Sequence, residues 1–210
     1  MKKLYLILFI ISFCVTGCTT SYTIHVNGFS EFDKPVRDKA SIYVTVDPNS
    51  QNPIFDREIK AKIEMLLKEH GYVPASDIKV SDYRLAFQVG LNSHRVTSYT
   101  PFYHPYVGFH NRYWGNYEFG YTRYVPYFET FYNQWLVMKV YAPEPGSAMG
   151  NEKVVWIGEA MVGTDDADLR QVVNYLLVAN FEYFGRDTER QMTLKISPDD
   201  PRIIQISTSR

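Results

Sequence analysis

The 210-residue chain is short of cysteine, of net charge and of long apolar runs, and each shortage removes a class of protein. Its two cysteines are Cys14 and Cys18. Nothing beyond position 18 can form a disulfide or supply a thiolate to zinc, so the folded part must be stabilised by its core. Lys and Arg number 22 against 23 Asp and Glu, a formal charge of −1. That balance lacks the basic field that phosphate backbones require, and no nucleic-acid partner is expected. Beyond the N-terminal segment no apolar run approaches the roughly 20 residues of a spanning helix. There is no Gly-x-Ser-x-Gly elbow, no His-Glu-x-x-His, no phosphate loop and no dinucleotide glycine pattern. We therefore expect a protein that is not an enzyme and carries no cofactor.

The one apolar run opens the chain. Lys2 and Lys3 precede Leu4 to Val15, a stretch broken only by Tyr5 and Ser12. It is short for a membrane span and suits the apolar region of a secretory signal. Val15-Thr16-Gly17-Cys18 follows and resembles the lipobox of bacterial lipoproteins. In that resemblance Val15, Thr16 and Gly17 present an extended, small-residue backbone to the signal peptidase. Cys18 becomes the lipid-bearing first residue. Each buried methylene contributes about 0.8 kcal/mol, so the two or three chains of a lipoprotein anchor stably where one would not. Thr19 and Thr20 replace the Asp that commonly holds lipoproteins at the inner membrane. The expectation is a lipid-anchored envelope protein on the outer membrane, facing the periplasm.

Alternation of apolar and polar residues predicts strands at Tyr22–Val26, Ser41–Val46, Asp82–Leu91, Trp135–Ala142 and Lys153–Val162, with a short edge strand near Gln191–Ile196. Spacings of three and four among Phe55, Ile59, Ile63, Leu66 and Leu67 predict a helix, bounded by Asn52-Pro53 and Gly71. Leu169, Val172, Val173, Leu176 and Phe181 mark a second, ended by Gly185. The expected architecture is α+β: an antiparallel or mixed sheet of five to six strands with two helices on one face, plus a long aromatic-rich insert. The expected organisation is a signal peptide at 1–17 and a lipidated N-terminus with the first strand at 18–40. The α+β domain at 41–196 contains the insert at 99–134, and a loosely ordered polar tail fills 197–210.

The insert is the least ordinary part. Sixteen Phe, Tyr or Trp fall within the 37 residues from Tyr99 to Trp135, and aliphatic residues are nearly absent. Tyr103, Tyr106, Tyr113, Trp114, Tyr117 and Tyr121 are candidate contact residues, because Tyr- and Gly-rich segments build adaptable surfaces. The partner would be a protein, a glycan stacking on rings, or the lipid headgroup layer. The same rings would equally serve as a satellite core of a loop folded over the sheet. Pro101, Pro105, Pro126, Gly108, Gly115 and Gly120 are expected to break any long regular element.

His104 and His110, with His94 as a third, form a second candidate: a small-ligand or metal site aided by nearby tyrosines. Their spacing fits no regular element that would preorganise them. Asp165, Asp166 and Asp168 open the second helix, where free amides and the positive dipole end favour carboxylates, so they read as capping residues.

Several short marks recur in one order: the lipobox, a Tyr-x-Ile-x-Val strand at Tyr22, Gly71-Tyr72 ending a helix, Asp82-Tyr83 opening a strand, and Trp156-x-Gly158-x-Ala160. This order resembles the bacterial lipoproteins grouped as domain of unknown function 4136. The resemblance implies an α+β envelope lipoprotein without assigned activity, and it carries over no catalytic residues. Phe184-Gly185 departs from the Phe-Pro expected after the last helix.

Overall fold

The computed structural model describes residues 21–30, 36–105, 120–143 and 152–208. Seven strands form one mixed sheet: β1 (Tyr22–Ser30), β2 (Ser41–Thr45), β3 (Val73–Pro74), β4 (Tyr83–Pro105), β5 (Gly120–Pro143), β6 (Glu152–Thr164) and β7 (Met192–Ile196). Their spatial order is β3-β2-β4-β5-β6-β1-β7. β2 runs parallel to β3 and β4, and every other neighbouring pair is antiparallel. Among the described residues three α-helices accompany the sheet: α1 (Pro53–Glu69), α2 (Leu169–Glu182) and α3 (Pro201–Thr208).

These counts correct the expectation of five to six strands and two helices; the α+β class is compatible with the fold. β3 escaped because two residues cannot display an alternation. α3 escaped because its apolar signal amounts to Ile203, Ile204 and Ile206 in a short polar tail. Ile203 and Ile206 are buried, and Asn174 on α2 reaches Ser207 at 3.0 Å. The tail is therefore partly a packed helix rather than a loosely ordered end.

Alternate residues of each strand supply the core. Ile24, Val26, Ile42, Val44, Leu85, Leu136, Met138, Val140, Ala160 and Val162 are buried with the apolar stripes of α1 and α2. Asn52 caps α1 by accepting from the Phe55 amide at 3.2 Å, and Gly71 takes φ +83° just past its end.

Three of the four internal sequence marks turn out to hold elements together. Tyr72, after the left-handed Gly71, sets its ring edge-on to Phe184. Asp82 ties the start of β4 to β2, accepting from the Ser41 amide and hydroxyl at 2.8 Å each and from Arg37 at 2.7 Å. Both Ser41 bonds, with help from Arg37, hold the Asp82 carboxyl below the ordinary carboxylate range. Trp156 lies beneath α2, donating its indole N–H to the Arg186 carbonyl at 3.0 Å, and occupies the space a side chain at Gly158 would need.

Candidate functional site

β4 and β5 pair without interruption from Arg84↔Tyr141 to Pro105↔Gly120. β2 accompanies β4 only as far as Ala86, and β6 leaves β5 at Tyr132. The last twelve pairs, from His94↔Phe131 outward, therefore form a two-stranded ribbon with no third strand among the described residues. At about 3.4 Å per residue it extends roughly 40 Å beyond the sheet. An isolated hairpin of this kind is marginal in water, but here its base continues the central pair of a sheet.

The expectation that Pro101, Pro105 and Pro126 would break the regular elements is thus corrected: all three lie within the strands. Gly120 opens β5, and Gly108 and Gly115 lie outside the described residues. The proline pairs, Pro101↔Tyr124, Pro105↔Gly120 and Tyr99↔Pro126, belong to one alternating class of the ladder. A single arrangement accommodates all three: the main-chain nitrogen faces the free edge, so no ladder bond is missing. The same arrangement removes donors from those edges and blunts them against strand addition.

Rings cover both faces of the ribbon. Tyr99, Tyr103, Tyr124 and Phe128 lie on one, and Phe102, Tyr121 and Tyr127 on the other, all exposed. Phe128, Tyr124 and Tyr99 are the most open at 66%, 64% and 62%. Local ties hold the ribbon together: Arg95 lies over the Phe128 ring at 5.6 Å, His94 stacks with Phe131 at 6.0 Å, and Ser98 donates to Glu129 at 3.3 Å.

Of the sequence candidates, Tyr103 and Tyr121 are exposed on the ribbon, one on each face. Tyr106, Tyr113, Trp114, Tyr117 and His110 lie outside the described residues, as do Val15, Thr16, Gly17 and Cys18. Sequence reasoning counted Tyr99 and Tyr127 among the rings of the insert and did not single out Tyr124 and Phe128. The apolar alternation of β4 ends at Leu91, where Ser93, Arg95 and Thr97 follow on the same face, and the prolines beyond argued against a strand.

His94 and His104 are ten residues apart on β4, about 34 Å along an extended strand, so the two cannot share an ion. Among the described residues no group of three His, Cys, Asp or Glu is placed to hold a metal. Asp168 accepts from the Arg170 amide at 2.9 Å. Asp166 accepts from the Asp168 amide at 2.9 Å and from Gln171 at 3.1 Å. Those bonds cap α2.

No family model matches the chain, and no curated protein matches it. Three solved structures are similar in fold. One is a PDZ domain protein from Parabacteroides distasonis, 16% identical, with a TM-score of 0.45 over 85% of this chain and 40% of that one. The chain thus spans well under two thirds of that protein's length. Another is a PelC dodecamer from Paraburkholderia phytofirmans, 13% identical, with a TM-score of 0.43 over 79% and 99%. The third is a DUF4136 family protein from Bacteroides thetaiotaomicron, 13% identical, with a TM-score of 0.41 over 78% and 95%. Similarity at this level assigns neither family nor activity.

Proposed function

We propose that the chain is a lipid-anchored protein of the bacterial cell envelope, of the domain-of-unknown-function 4136 type, with a non-catalytic interaction role. Cys18 is its tether and the β4–β5 ribbon its contact surface. The observation that carries this reading is the ribbon itself: about 40 Å of paired strand exposing rings on both faces, with blunted edges. Burying such rings is favourable and costs little conformational entropy, because each has only two rotatable side-chain bonds. The prolines disfavour recognition by strand addition and leave the side chains to make the contact. The lipobox and the two threonines after Cys18 support an outer-membrane position facing the periplasm.

The test has two arms. Metabolic labelling with a fatty-acid analogue should mark the wild type and leave Cys18→Ser unmarked. Photo-crosslinkers at Tyr124 and Phe128 should capture one common species in living cells, while a crosslinker at Lys60 on α1 should not. An unlabelled wild type removes the tether. Identical capture from all three positions removes the contact surface.

A further inference from the structure

The sheet has a second face, opposite α1 and α2, that no helix among the described residues covers, and its side chains stay half-buried or exposed from β2 to β1. Trp135 lies at its centre. A side-chain carbon placed on Gly90, its partner across β4, would meet three successive indole atoms at 2.5, 2.9 and 3.1 Å. Distances that similar put the face of the indole, not its edge, above Gly90. The missing side chain lets the ring lie across the neighbouring strand, where it stays half-buried and lines a cavity on this face.

Polar groups are arranged around that platform in register. Gln88 pairs with Val137, Val137 with Glu159, and Glu159 with Asn27, forming one row across four strands. The row of Gly90 and Trp135 runs beside it, two residues or about 7 Å along the strands. Asn92 lies beyond that, and Lys139 lies on the far side of the first row. These residues line a cavity of about 540 Å³, and a smaller one of about 260 Å³ continues it past Gln88 and Lys139 toward Tyr141. At the end of that smaller cavity Arg84 is already committed, bonded to Glu152 and stacked on Tyr141 at 4.0 Å. By contrast, among the described residues the side chains of Asn27, Gln88, Asn92, Lys139 and Glu159 have no hydrogen-bond or ion-pair partner.

We infer that this groove is a binding site for a neutral oligosaccharide. A pyranose ring presents a face of C–H groups that matches a flat indole, and its edge presents adjacent hydroxyls. Amide side chains offer a donor and an acceptor side by side, which suits such hydroxyl pairs. One lysine and one glutamate balance each other, so the groove favours neither anionic nor cationic ligands. The polar centre also argues against a second copy of the chain, since interfaces between copies are apolar at their core. The two joined cavities suit an extended chain of sugars better than a single one.

The probes are cellohexaose, maltohexaose and chitohexaose, titrated calorimetrically into the full chain in mild detergent. At least one should bind. Trp135→Ala should weaken it about tenfold or more, Gln88→Ala and Asn92→Ala should weaken it severalfold, and Trp135→Phe should retain most of it. Phe128→Ala, on the ribbon, should leave it unchanged, which separates this site from the proposed contact surface. The inference is overturned if none of the three binds at millimolar concentration. It is equally overturned if Gln88→Ala and Trp135→Phe both match the wild type while Trp135→Ala also binds normally, or if only an anionic polymer such as polygalacturonate binds.

Discussion

Trp156 and Gly158 share one face of β6, and the indole of the first fills the space that a side chain on the second would occupy. The Asn180 side chain of α2 closes over the same spot. The helix therefore approaches the sheet at a point where the strand has no side chain. A methyl group at position 158 must displace the buried indole, the helix, or both. Gly158→Ala should destabilise the protein by about 1–3 kcal/mol, the usual cost of overpacking, measured as a lower urea midpoint at unchanged slope. A midpoint equal to the wild type would show that the indole moves freely.

The Asp82 clamp gives a pH-dependent effect. Its carboxyl is held low chiefly by the Ser41 amide and hydroxyl, with Arg37 adding to them. A carboxyl whose folded pKa is depressed contributes stability above its unfolded value, about pH 4, and loses it as pH falls through the folded value. Asp82→Asn should cost about 1 kcal/mol at pH 7, a figure kept small because the side chain is 39% exposed. The difference between the two proteins should shrink as unfolding is measured from pH 5 down to pH 2. A difference that is constant with pH would mean that charge plays no part.

The ribbon should be separable from the fold. Its exposed rings contribute nothing to the buried cluster beneath α1 and α2. Replacing residues 95–130 by Asn-Gly, between His94 and Phe131, provides a two-residue turn of the preferred type. The shortened protein should melt within about 2–4 °C of the parent, equivalent to 1 kcal/mol or less for a chain of this size. Collapse of the domain would show the rings to be core and would end the contact-surface reading.

Helix α3 is expected to be part of the cooperative unit. Ile206 is fully buried. Ile206→Ala should cost about 2–4 kcal/mol, as large-to-small changes at buried sites do. A loss below about 0.5 kcal/mol, the level of ordinary surface changes, would place α3 outside that unit.

Much of the sheet was legible before any coordinates. Tyr83, Leu85, Phe87 and Val89 alternate cleanly because one side of β4 meets helices and the other does not. α1 was legible because Asn52, Pro53 and Gly71 chemically punctuate an apolar stripe. The ribbon was not legible, since proline normally argues against a strand. Only the register shows that Pro101, Pro105 and Pro126 fall where a missing amide hydrogen costs nothing. Trp135 was legible as the first residue of a strand but not as the centre of a site, because its distinguishing partner, Gly90, lies 45 positions earlier.

Local chemistry along the chain, in capping residues and in period-two or period-3.6 patterns, was enough to determine the α+β class, the main strands and the two longer helices. These properties depend on neighbours within a few residues. The tertiary structure decided which strand pairs continue past the sheet, which glycine lies beneath which ring, and which polar side chains are left unengaged. Those outcomes depend on contacts between residues far apart in sequence, and no local pattern encodes them.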